Sequence, residues 1–162
     1  MRFVCDDLKA HIPEIMREWE AITHEEPWTS LPKTYRVDAL PEVTLGLFEA
    51  SLCDPADRDN HRRQIEAALE HGARRREHGF ADSVLLTEYY LLREAIWRYL
   101  SMTFPGETAG EAILRIDSAI MLATRATLVG YHRQEYELAK RWDATVERLV
   151  NDSPLFRLAN AA

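Results

Sequence analysis

Between His71 and Tyr99 the chain reads HGARRREHGFADSVLLTEYYLLREAIWRY, and no other stretch restricts the fold as tightly. The first part is the polar end of a helix. Gly79 is placed to take the left-handed conformation that stops it, with Phe80 as the apolar residue beyond. Asp82 and Ser83 then open a second helix that continues to about Met102. Leu85, Tyr89, Leu92, Ile96 and Leu100 fall on one side of it, and only a narrow strip of Ser83, Thr87, Glu94, Arg98 and Ser101 is polar. A helix so apolar belongs in the centre of a bundle, as its most buried element. The hairpin should therefore break within two residues of Gly79 and resume by Ser83.

The remaining chain repeats the helical period, and no segment alternates cleanly over strand length. A first helix is expected over about Asp6–Thr23, using Leu8, Ile12, Ile15, Met16, Trp19 and Ile22; Pro13 either kinks it or sets its start near Ile12. Asp38 is placed to cap the next helix, with Pro41 in its first turn. Asp54-Pro55 breaks the chain before a polar helix whose inward stripe is Ile65, Ala68, Leu69 and Gly72. From Gly110 to about Val150 only Gly130 interrupts the pattern, which predicts a rod of about 60 Å that projects or bends near that glycine. Its later apolar residues, Leu138, Trp142, Val146 and Leu149, would face a second copy. The fold class is all-α: an antiparallel bundle of about five helices with a long C-terminal one, for which a globin-like packing is one arrangement. Residues 1–150 form the domain in this reading, and 151–162 a tail or truncated linker.

Twenty basic residues against 27 acidic ones leave a net charge of -7, which argues against a nucleic-acid partner, since that needs a basic face. No apolar run reaches the roughly 20 residues of a membrane span, and the N-terminus lacks the order of a secretory signal. A cytoplasmic location with no membrane insertion is the expectation. Cys5 and Cys53 have no CxxC spacing, so free thiols are expected. Catalytic motifs are missing. There is no Glu-x-x-His pair for a dinuclear metal site, no HExxH, no Gly-x-Ser-x-Gly and no phosphate loop. No catalytic residue, metal or cofactor is assigned. His132-Arg133 could imitate a phosphotransfer histidine with its neighbouring cation, an alternative kept alongside.

The remaining chemistry is a polar set around the hairpin. Arg75 falls in line with Ile65, Ala68 and Gly72 and points inward, while Glu88 and Arg93 sit on opposite shoulders of the central helix's apolar face. Asp117 flanks the stripe of the long helix. Ions at core margins persist when paired, so one reading is a structural ion-pair network in which Arg75 or Arg93 meets Glu88 or Asp117. The other is a small polar pocket, with His71, Arg75, Glu88 and Arg93 as ligand-binding residues.

His71-Gly72-x-x-Arg75-x-x-x-Gly79-Phe80 leads into Glu88-Tyr89-x-Leu91-Leu92-Arg93-x-x-Ile96. Later, Leu114-Arg115-Ile116-Asp117-x-Ala119-Ile120 runs through Ala123-Thr124-Arg125-Ala126 to Gly130-Tyr131. In these segments the chain resembles the N-terminal domain family named for the RsbT co-antagonist RsbRD, over roughly residues 8 to 145. The resemblance implies an all-helical, non-catalytic input domain of a bacterial signalling protein, typically a histidine kinase. It also implies a homodimer that relays a signal through its C-terminal helix to an output domain. An excised domain is expected rather than a freestanding one. A ligand-independent interaction module is the leading alternative.

Overall fold

The computed structural model describes residues 1–23, 32–133 and 142–160. Among them the secondary structure is entirely helical: α1 (Arg2–Ala10), α2 (Ile12–Ile22), α3 (Lys33–Val37), α4 (Leu40–Phe48), a π-helical turn π1 (Glu49–Cys53), α5 (Arg58–Glu77), α6 (Asp82–Thr103), α7 (Gly106–Tyr131), α8 (Trp142–Asp152) and α9 (Pro154–Ala159). The expected first helix is two helices. His11 closes α1 through its N–H bonds to the Asp7 and Leu8 carbonyls, and α2 begins at Ile12 with Pro13 in its first turn, where a missing N–H costs nothing. Asp38 does not cap α4; Ala39 is the N-cap, and Asp38 stands before it in the left-handed region at φ 39°.

The hairpin breaks where the sequence places it. Gly79 has φ 78°, its N–H reaches the Arg76 carbonyl (2.9 Å), and the Phe80 N–H reaches the Arg75 carbonyl (3.0 Å). That pair of bonds is the Schellman closure, which satisfies carbonyls left over at the helix end. Leu85, Tyr89, Leu92 and Ile96 are buried as expected. The centre, however, is not α6. Its outer side exposes Leu86 and Tyr90, and α5 packs most extensively against α7.

Two glycines explain that packing. A Cβ on Gly72 of α5 would collide with the Thr127 carbonyl of α7, and one on Gly130 of α7 would collide with the Leu69 carbonyl of α5. The two backbones are in direct contact at this crossing, which only residues without side chains allow. Thr127 Oγ1 donates to the Ala68 carbonyl (2.9 Å) and bonds the Tyr89 hydroxyl (2.7 Å), and Gln64 Nε2 donates to the Ala119 carbonyl (2.9 Å). Burial pushes the Tyr89 hydroxyl pKa upward, so it stays protonated.

Gly130 thus fixes a helix crossing rather than a bend in a rod. Helix α7 ends at Tyr131, and α8 returns to pack on α5. Val146, Leu149 and Val150 are fully buried inside the same chain, so the expected projecting stripe does not face a second copy at these positions. Folding back removes the exposure that a projecting rod would leave. Leu138 and the Trp142 side chain lie outside the described residues. Glu147 of α8 receives Arg58 and Arg62 of α5. Buried His61 donates through Nε2 to the Pro55 carbonyl (2.9 Å) and accepts the Ser153 hydroxyl at Nδ1 (3.3 Å).

Cys5 and Cys53 are joined in a disulfide, not free; the bond ties α1 to the end of π1 across 48 positions. Cys5 is buried and Cys53 partly exposed, on elements that meet only in the tertiary fold. The two conformational classes of glycine give a direct check. Gly110, with open space around it, should gain about 0.5–1 kcal/mol when replaced by alanine, from helix propensity alone. Gly130→Ala should instead lose about 1–3 kcal/mol through overpacking. Urea unfolding of both variants reads the opposite signs.

Candidate functional site

The geometry of the α5–α6 hairpin follows from its turn. His71 and Arg75 are four residues apart on one face of α5, and the reversal at Gly79 brings Glu88 of α6 opposite them. All three side chains are completely buried. His71 Nε2 lies 2.9 Å from Glu88 Oε2, Arg75 Nε lies 3.3 Å from the same oxygen, and Arg75 Nη2 donates to Glu88 Oε1. The guanidinium is filled on its remaining edge by backbone: Nη2 donates to the Arg36 carbonyl (2.6 Å) and Nη1 to the Tyr35 carbonyl. Phe80, placed by the helix closure, lies against its face at 4.8 Å. Trp19 Nε1 of α2 donates to the Glu88 carbonyl (3.3 Å). One cation therefore joins α5, α6 and the short α3 segment.

Burial pushes the Glu88 carboxyl upward, but the charges and hydrogen bonds of His71 and Arg75 outweigh it and hold the group below its ordinary value. Glu88 is ionised at neutral pH. His71 Nδ1 has no hydrogen-bond partner among the described residues.

Arg93 is not part of this cluster. Five residues beyond Glu88, it is turned to another side of α6, where it pairs with Asp117 of α7 (3.0 Å) and lies over the Trp97 ring at 4.3 Å. The expected ion pairs are thus both present, in two separate places. Arg93 and Asp117 help line a cleft of about 410 Å³ between α6 and α7, with Tyr90, Met121 and Leu128 supplying apolar wall. Leu86 (51% exposed), Tyr90 (61%) and Met121 (74%) line this cleft together and stay open, and Leu114 (71%) lies two turns along α7 from Met121. Single exposed apolar residues are ordinary, but a contiguous group marks a contact surface. The polar strip of Ser83, Thr87, Glu94, Arg98 and Ser101 is the sequence's sign of the open side, and Leu86 and Tyr90, which are apolar, carry no sign that they too stay open.

His132 caps the end of α7 rather than standing on its face, 3.7 Å from Asp82 and packed on Tyr131. Among the described residues, no three His, Cys, Asp or Glu side chains converge as a metal site, and no helix is long and apolar enough to cross a membrane.

The buried hairpin and the Gly130 crossing lie in the two segments that carry the family likeness, and the family of the RsbT co-antagonist protein rsbRD N-terminal domain matches residues 8–146. The chain belongs to that family. It is an rsbRD-type N-terminal domain, a signalling domain in a helical fold. No curated protein and no solved structure matches the chain.

The ionic cluster has a pH signature in this rsbRD-type domain. A carboxyl whose folded pKa is depressed contributes stability that is complete above its unfolded value and is lost as pH falls through the folded one. Glu88→Gln removes that contribution. The stability gap between wild type and Glu88→Gln, about 3–5 kcal/mol at pH 7, should therefore narrow as pH drops below 4.5, the carboxyl's ordinary value. Urea midpoints from pH 7 to pH 3 measure it; a gap constant over that range contradicts the assignment.

Proposed function

We propose that this domain is the non-catalytic sensory input of a bacterial signal-transduction protein, a histidine kinase being the output that fits best, and that it works as a homodimer in the cytoplasm. It is not an enzyme and uses no metal or cofactor in this reading. Its partners are a second copy and a downstream output segment, not nucleic acid, in keeping with a net charge of -7. Family membership supports the signalling role.

The observation that carries the homodimer is the outer face of α6 and α7. Leu86 and Tyr90 from one helix and Leu114 and Met121 from the other are exposed together. An isologous contact of two such helix pairs would bury each residue against its counterpart across a two-fold axis. This surface replaces the α8 stripe, whose Val146 and Leu149 are used internally. Helix α7 then becomes the relay. Its inner side is pressed onto α5 at Gly130, and its outer side meets the partner, so a change inside the bundle alters the mutual angle of the two α7 helices.

A ligand would have its room at Arg93 and Asp117, in the cleft that opens on that face. Arg75 and Glu88, already satisfied by protein groups, act with His71 in this reading as a rigid internal tie on the other side of α6, away from that cleft. Sedimentation velocity of the chain at tens of micromolar tests the homodimer. Wild type should sediment as a dimer, and Met121→Glu combined with Tyr90→Glu as a folded monomer. A monomeric wild type favours a self-contained interaction module instead.

A further inference from the structure

We infer that Cys5 and Cys53 form a thiol–disulfide exchange site through which the domain responds to dithiol reductants and small disulfides. The inference deepens the sensory reading of the domain and rests on it, because it assigns a chemical input. Three observations carry it.

The first is access. Cys5 is completely buried, whereas Cys53, the last residue of π1, is partly exposed. Exchange requires in-line approach of a thiolate to one sulfur, so Cys53 Sγ is the atom attacked and Cys5 the leaving group. The attacking thiol forms a mixed disulfide with Cys53 and the Cys53–Cys5 bond breaks. The electron pair stays on Cys5, which takes up a proton. The second thiol of the dithiol then attacks its own sulfur in the mixed disulfide and releases Cys53 as a thiolate. Two electrons pass from the reductant, which leaves as a disulfide, and the protein ends as two thiols. A small disulfide runs the same steps in reverse.

The second is that the reduced state is accommodated. Cys5 Sγ lies 3.4 Å from the Phe48 carbonyl oxygen, so the thiol released in the interior has an acceptor for its S–H. Without such an acceptor the buried thiol would be left unsatisfied.

The third is a mechanical consequence. Helix α1 has only nine residues and buries just Val4, Cys5 and Leu8; a helix that short is marginal without tertiary support. Its polar ties to the bundle are partly exposed, Lys9 to Glu49 (2.8 Å) and Asp7 to the Tyr99 hydroxyl (2.6 Å), as is the edge-on contact of Phe3 with Phe104 (6.0 Å). At the other end, π1 has the widened i to i+5 register, shown by the Asp54 N–H reaching the Glu49 carbonyl (3.2 Å), a form concentrated at functional sites. π1 packs on α7. The covalent bond thus holds a lightly anchored helix against a turn that leans on the relay helix, and its cleavage is felt by both.

The test uses the 162-residue chain, cycled between oxidised glutathione and dithiothreitol under native conditions, then quenched in acid, freed of reagent, unfolded, labelled with N-ethylmaleimide and weighed intact. The protein should switch reversibly between no label and two labels. Reduction should lower the melting temperature by about 10 °C and speed amide exchange in residues 2–10 and 49–53. Cys53→Ser, altered at the more exposed sulfur, should melt like the reduced form and ignore dithiothreitol. Two labels after oxidation would mean the bond does not form. Labels gained only when dithiothreitol acts in denaturant would mean a fixed staple, and an unchanged melting temperature would mean an idle pair; each of these overturns the inference. None of these readouts involves dimerisation or output, so their failure leaves the signalling role standing, and loss of that role would leave them unchanged.

Discussion

Arg75 and Glu88 meet with both side chains fully buried, and the hairpin, the α3 segment and α2 are all arranged to make that tolerable. A buried ion pair has to recover a large desolvation cost through geometry and extra hydrogen bonds. Here Glu88 takes His71 and Arg75 together, and Arg75 spends its remaining donors on the Tyr35 and Arg36 carbonyls. The helix closure at Gly79 sets the reversal that puts these groups opposite one another, and delivers Phe80 onto the guanidinium as well. Loss of either ion would leave its counterpart stranded, which is why these elements should behave as one cooperative unit.

Around that unit the bundle has a stiff inside and an open outside. The α5–α7 crossing at Gly72 and Gly130 leaves no space to slide the helices closer, and the Tyr89–Thr127–Ala68 hydrogen bonds fix their rotation. The other side of α7, with Leu114 and Met121, is exposed beside Leu86 and Tyr90 of α6. A rigid inner contact and an uncommitted outer one on the same helix suit a domain that transmits a change in helix angle. Packed cores switch between discrete arrangements rather than deforming smoothly.

Much of this was legible in the sequence, because it is local. Gly79 followed by Phe80 identifies the turn, and helical spacing identifies Arg75 as inward and Leu85, Tyr89, Leu92 and Ile96 as core. What local pattern cannot reveal is which elements meet. A stretch from Gly110 to Val150 with only one glycine reads as a rod, yet Gly130 serves a crossing with a helix some sixty positions earlier, and Val146 and Leu149 turn back to α5. Cys5 and Cys53 likewise come together only because α1 lies against the end of α4. Arg93 and Glu88 fall on opposite shoulders of one apolar face and read in sequence as members of one candidate pocket, but the two shoulders meet different helices, Glu88 facing α5 and Arg93 facing α7. The carbonyls of Tyr35 and Arg36 as partners of Arg75 have no sequence signal, since any residue supplies a carbonyl.

A double-mutant cycle between Arg75→Met and Glu88→Leu, followed by urea unfolding at pH 7, tests most directly whether the buried pair holds the fold together. Each single variant strands a charge and should lose about 3–5 kcal/mol. With both charges gone, the double variant should lose no more than the worse single one, a coupling of at least about 3 kcal/mol. Losses that simply add, within about 0.5 kcal/mol, would show that the two side chains act independently and that something else holds the hairpin to α3.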